Sequence, residues 1–129
     1  MTQIRGIAPV FLVADVVRAA AYYTDKCGFK AVGFWGDPPT FCIAERDSIR
    51  IMLNQVDAGD RIHPNSSFNG RYSAYFCVND ADELFAEFKS NGAEIVCEPS
   101  NETYGMREFQ VRDVDGHLLA FGRDIPEID

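Results

Sequence analysis

The chain is poor in bases and in histidine. Its Lys and Arg number 12 against 20 Asp and Glu, a formal net charge of −8. A surface of that sign repels nucleic-acid phosphates and anionic membranes, which excludes both as partners. It suits a cationic partner, although acidity also serves solubility alone. The two histidines, His63 and His117, fall in a polar linker and at a turn, and are read as structural. Neither is placed beside a Ser, Cys or Lys, so no nucleophile–base pair is seen. Nothing in the chain is long and apolar enough to span a membrane. Paired cysteines are also missing: Cys27, Cys42, Cys77 and Cys97 form no CxxC and sit in apolar stretches. Buried, reduced thiols are therefore expected rather than disulfides, which fits a cytoplasmic protein. The opening "MTQIRGIAPVFLVADVVRAAAYY" could pass for a signal peptide. Asp15 and Arg18 interrupt its apolar run, so it is read as a strand followed by a helix, without export.

What remains is an ordinary globular composition of 129 residues, 47% apolar and 25% charged, enough for one domain with its own core. "APVFLVA" reads as a buried strand. Asp15 caps the helix "VVRAAAYYTDKC", and Gly28 ends it. "FKAVGFW", "FCIAE" and "IRIMLN" read as strands, with the loop "GDPPT" between the first two. Residues 55–71 are polar and rich in Gly, Asn, Ser and Pro, and form a linker. The pattern then recurs: strand "YSAYFCV", a cap at Asn79 or Asp80, helix "ADELFAEFKSN", a stop at Gly92, strand "AEIVCEP", loop "SNETYG". A hairpin of "MREFQV" and "HLLAFG" follows across Asp115-Gly116. Val13-Ala14-Asp15 matches Val78-Asn79-Asp80 one repeat later, and Gly28 matches Gly92. The prediction is an α+β fold of two βαβββ modules, 1–54 and 72–129, joined by the 55–71 linker into a single domain 1–129. Neither module can bury its sheet alone.

Three stretches in order, "PVFLVADVVRAAAYYTDKCGF", "AYFCVNDADELFAEFKSNGAEI" and "REFQVRDVDGHLLAFG", resemble the vicinal-oxygen-chelate superfamily. That group holds glyoxalase I, extradiol dioxygenases, fosfomycin-resistance enzymes and bleomycin-resistance proteins. The Ala-Pro before the first strand is most similar to the bleomycin-resistance branch. The resemblance implies curled sheets around a central cleft and, in that branch, homodimers with clefts shared between subunits. Metal-using members carry four ligands, usually His, Gln or Glu, on the first and last strands of each module. Here those positions fall on Ala8, Met52, Ser73 and Ala120. Alanine has no donor atom, a thioether is soft and serine is a poor ligand, so no metal and no other cofactor is expected. "VRDVDG" is no calcium loop either, because its first and twelfth places would be Val111 and Gly122.

Alternation along the strands sets Val10, Leu12, Arg50, Met52, Asn54, Tyr75, Cys77, Leu118 and Ala120 toward the cleft. Phe11, Val13, Ile49, Ile51, Ala74, Phe76, Leu119 and Phe121 then lie under the helices. On "MREFQV" Phe109 and Val111 go inward, while Glu108 and Gln110 face the cleft. Trp35, Phe34, Phe41 and Tyr104 lie at its mouth, as ligand stackers or as core or dimer contacts. Arg50 awaits either a ligand anion or a salt bridge with Glu108 or another acid at the rim. The candidate ligand-binding set is Trp35, Phe41, Arg50, Met52, Asn54, Tyr75, Tyr104, Glu108 and Gln110, with no catalytic residue. Asp113–Gly116 are expected to shape a hairpin and nothing more. The function expected is capture of an apolar or aromatic small molecule, a cationic one being suited by the charge, in a metal-free cleft. The alternatives are a lyase, isomerase or dioxygenase with a non-standard site, and a structural or regulatory partner domain.

Overall fold

The computed structural model describes residues 1–126. Its elements run β1 (Val10–Val13), α1 (Val16–Cys27), β2 (Lys30–Trp35), β3 (Phe41–Arg46), β4 (Ile49–Gln55), β5 (Ala74–Cys77), α2 (Ala81–Ser90), β6 (Glu94–Asn101), β7 (Met106–Arg112) and β8 (Leu118–Asp124). The order βαβββ therefore occurs twice. Each repeat makes one four-stranded sheet, ordered β1-β4-β3-β2 and β5-β8-β7-β6, with β1 parallel to β4 and β5 parallel to β8.

The helices start and stop for local reasons. Asp15 accepts hydrogen bonds from Val17 N (3.0 Å) and Arg18 N (3.1 Å), and Asp80 accepts from Glu83 N (3.0 Å). These caps satisfy N–H groups that a helix start leaves without partners. Of the two cap candidates for α2, Asp80 is the one used. Gly28 closes α1 at φ 71°, a conformation that carries no Cβ penalty for glycine.

Each helix covers one face of its own sheet. Phe11, Val13, Ile51 and Leu53 are buried beneath α1, and Phe109, Val111, Leu119 and Phe121 beneath α2, as alternation requires. All join one continuous core with Tyr23 and Phe88. Phe121 stacks on Phe76 at 4.7 Å and on Phe109 at 5.3 Å. Full burial of each large side chain is worth about 1.5–3 kcal/mol.

The halves are tied together by polar bonds. Arg46, anchored within its own half on Cys27 O (2.7 Å), donates across to both oxygens of Glu87 (2.6 and 2.9 Å). Asn91 donates to Lys26 O at 3.2 Å. On the other side, Tyr22 donates to Arg112 O (2.9 Å) and Tyr23 to Asp113 Oδ2 (2.6 Å).

Four expectations change. Cys27 and Cys42 are buried free thiols, but Cys77 and Cys97 are exposed, because both lie on edge strands. Ile49 is 52% exposed, since the start of β4 runs past the cover of α1. The "SNETYG" loop is shorter than expected: β6 continues through Pro99 to Asn101, with a register shift between Cys97 and Ser100. An edge strand tolerates a proline that an inner one would not. The 55–71 stretch begins with Gln55 still in β4 and contains a 3-10 turn at Asn65–Ser67.

Candidate functional site

The face of the second sheet away from α2 holds a buried carboxylate. Glu108 on β7 is 4% exposed and accepts from the hydroxyl of Tyr104 in a short hydrogen bond, and from that of Tyr75 on β5 at 3.4 Å. A charge-assisted bond such as that from Tyr104 is worth about 1.5–3 kcal/mol, and with the longer, weaker contact from Tyr75 it offsets part of the cost of burying the carboxylate. Burial, then the negative Glu108 alongside, pushes the Tyr75 phenol up to about 12. The hydrogen bond to Glu108, then burial, moves Tyr104 upward as well. Both tyrosines thus remain neutral donors at physiological pH.

The backbone makes room for this cluster at Gly122. A Cβ there would collide with the Tyr75 hydroxyl and lie 3.1 Å from the Cβ of Glu108. Gly122 is the register partner of Glu108, so the ring of Tyr75 crosses the sheet directly above β8. Gln110 pairs with Ala120, and Ala120 with Tyr75, which sets Gln110 beside the cluster. Tyr72 adds a further ring, 5.6 Å from Tyr75. Leu118 and Ala120 lie on this face as expected, yet are 2% and 0% exposed, so they are floor beneath other side chains rather than open wall.

The corresponding face of the first sheet gathers the rest of the set. Trp35 and Phe41 pack edge to face at 5.7 Å, and Phe41 pairs in register with Asn54. Met52 pairs with Val10 and with Ile43. Arg50 is paired with its strand neighbour Glu45 at 3.1 Å, not with Glu108, and both are partly exposed. Glu108 is already held by two phenols on the other sheet. Val10 (52%), Leu12 (47%) and Trp35 (50%) leave substantial apolar surface on this face, whereas Phe34, expected at the cleft mouth, pairs with the buried Cys42 and so lies on the α1 side.

The structure therefore brings the candidates together in two groups: Tyr75, Tyr104, Glu108 and Gln110 on one sheet, and Trp35, Phe41, Arg50, Met52 and Asn54 on the other. The two grooves of about 640 and 330 Å³ are lined by none of them. Sequence reasoning missed the hydroxyl pair on Glu108, although Tyr75 and Glu108 had each been set toward the cleft.

It also missed the work of the 113–117 turn, which is more than a hairpin. Asp113 is buried and accepts from Tyr23, Asp115 N and His117 N. Asp115 Oδ1 accepts from Ala14 N at 3.0 Å, and His117 Nε2 donates to Leu12 O at 2.8 Å. That bond requires a proton on Nε2, and Ser73 Oγ lies 3.3 Å from Nδ1, a serine beside a histidine that the sequence reading did not place there. The turn is a clasp on the free edge of β1. The second oxygen of Asp115 is buried without a hydrogen-bond partner, and burial moves this carboxyl upward from its ordinary value.

The donor set fails as a metal site on its chemistry. Ala8 and Ser73 lie just before β1 and β5, and the strand residues that pair with Met52 and Ala120 are Val10 and Tyr75. Neither choice supplies the nitrogen and oxygen ligands that a divalent ion needs. Among the described residues no group of three or more His, Cys, Asp or Glu is placed to hold an ion.

Two βαβββ units in tandem, each with a helix on one sheet face, define a known architecture. The model of the Glyoxalase/Bleomycin resistance protein/Dioxygenase superfamily matches residues 6–121, and the chain belongs to that superfamily. Among solved structures it is similar to the bleomycin-binding protein from bleomycin-producing Streptomyces verticillus, complexed with copper(II)-bleomycin. That match has 24% identity and a TM-score of 0.73, over 98% of this chain and 100% of the other. TioX from Micromonospora sp. ML1 matches at 22% identity and a TM-score of 0.71, over 93% and 100%. A glyoxalase-related enzyme from Clostridium phytofermentans matches at 16% and 0.76, over 96% and 98%. At these identities the likeness is one of fold. Comparison with curated proteins finds no match. No helix among the described residues is long and apolar enough to cross a membrane.

Proposed function

We propose that the chain is a cytoplasmic small-molecule-binding protein that holds an aromatic, cationic ligand without a metal of its own. The observation that carries this reading is the Tyr75–Glu108–Tyr104 cluster: a buried carboxylate under aromatic rings, with Tyr104 61% exposed at its rim. Ring faces and a carboxylate together attract a flat cation. The net charge of −8 draws such a ligand in. The similar bleomycin-binding protein, complexed with copper(II)-bleomycin, supports a small-molecule ligand for this chain. The apolar face with Trp35 and Phe41 supplies a second wall, and its exposed Val10 and Leu12 favour a homodimer in which a second copy covers it.

A thermal-shift screen tests this with copper(II)-bleomycin and planar cationic aromatics such as proflavine. A binder raises the melting temperature by mass action, by about 2.7 kcal/mol of stability at a hundredfold excess over Kd. Anionic and aliphatic compounds should leave it unchanged. No shift with any compound contradicts the reading, and so does a stoichiometric divalent ion that survives dialysis.

A further inference from the structure

The two halves treat their free strand edges differently. β1 and β5 are each the outer parallel strand of a sheet. On β1 the edge is closed by the clasp: Asp115 takes the N–H of Ala14, His117 donates to Leu12 O, and the imidazole lies 5.2 Å from the ring of Phe11. The repeat maps Phe11, Leu12 and Ala14 onto Phe76, Cys77 and Asn79, and Arg112-Asp113 onto Arg46-Asp47. The turn that would close β5 is Asp47-Ser48, with φ of 51° and 68°, a tight hairpin that ends before it can reach across. Its anchor has changed too. Tyr23 bonds Asp113, whereas the repeat-related Phe88 has no hydroxyl and instead lies 5.9 Å beneath the Arg46 guanidinium. Between that turn and β5 runs the groove of about 640 Å³, lined by Phe29, Ile49, Phe76, Cys77, Asn79 and Leu84 among others.

We propose that this groove is a second binding site, for a short peptide that carries an imidazole and no net negative charge. The occupied β1 edge shows what such an edge takes. A ring N–H donates to the carbonyl of Cys77 as His117 does to Leu12. A side-chain carbonyl accepts from Asn79 N as Asp115 does from Ala14. The imidazole rests on Phe76 as His117 rests against Phe11. Charge selects the peptide. Arg46 is shared between Glu87 at 2.6 Å and the exposed Asp47 at 3.4 Å, and Asp80 lines the same groove, so carboxylates outnumber the one guanidinium. A carboxylate like that of Asp115 would be repelled here, and a carboxamide with a protonated imidazole is preferred. This site does not rest on the ligand reading above, because it shares no residue with that cluster.

The test is a titration of the ¹⁵N-labelled protein with acetyl-asparaginyl-glycyl-histidine amide, followed by amide chemical shifts. The expected result is saturable movement at Ile49, Cys77, Val78 and Asn79, with Kd about 1 mM, the strength of a few hydrogen bonds. Asn79→Pro removes the N–H and should weaken binding about fivefold, the worth of one hydrogen bond. Ile49→Arg, at a half-exposed site, sets a like charge in the groove and should abolish the movement even if the proline variant does not fold. Replacing the histidine of the peptide by glycine should also remove it. The proposal is overturned by no saturable movement, by movement that survives Ile49→Arg, or by movement confined to Leu12 and Ala14.

Discussion

Single side chains decide the character of the candidate site. Gly122 is glycine because Tyr75 occupies the space of its Cβ. Gly122→Ala should cost about 1–3 kcal/mol through overpacking and push Tyr75 off Glu108. Urea unfolding measures the cost, and an unchanged midpoint would show that the ring yields freely. Asp115 makes the opposite case. Asp115→Asn keeps the acceptor for Ala14 N and replaces the unpartnered buried oxygen by an amide, so stability at pH 7 should hold or rise. Asp115→Ala should lose about 1 kcal/mol through the lost bond to Ala14. A drop with Asn as large as with Ala would show that the carboxylate charge itself is needed. Glu108 and Tyr75 were readable as cleft-facing from alternation alone. The cluster they form was not, because Tyr75 reaches Glu108 across β8 and Tyr104 joins it from a loop. Arg50 was placed on the right face and in a salt bridge with a rim acid, but the acid named first was not the one: Glu108 is held by two phenols, and Glu45 stands directly across in register.

At the scale of elements the helices were legible because their signals are local. Asp15, Gly28 and Asp80 act within one turn of where they stand. The β6 boundary was misread because a proline normally ends a strand, and only the sheet order shows β6 to be an edge. The clasp was illegible for a different reason. "RDVDGH" looks like any Asp-Gly hairpin, and its partners Ala14 and Leu12 lie about a hundred residues away. Its weight can be measured. His117→Ala removes the bond to Leu12 and the contact with Phe11, and should cost about 2–4 kcal/mol. Amide exchange at Ala14 should accelerate before the rest of the sheet. Ala14 protection equal to that of the wild type would show that the turn does not hold the edge.

The whole molecule should lose stability in alkali. Burial raises Tyr22 and Tyr23 above the usual phenol value, lifts Tyr75 to about 12, and lifts Cys27 to about 12, while Tyr104 is raised chiefly by its bond to Glu108. The folded chain then keeps protons that the unfolded chain releases from pH about 9 for the thiol and about 10 for the phenols. Stability is complete below that range and falls as pH rises through it toward 12. A flat urea midpoint between pH 8 and 11 would contradict this. The fold as a whole was legible because the repeat, the alternation and the caps agree, each at short range. The ligand was not, because family and fold do not fix function. The central claim is that Glu108 beneath its two tyrosines binds a flat cation. Calorimetric titration of wild type and Glu108→Gln with copper(II)-bleomycin and with proflavine tests it most directly. The account predicts saturable binding of at least one of them by the wild type, weakened about tenfold or more by the neutral glutamine. Equal affinity in the two proteins, or no binding by either, would contradict it.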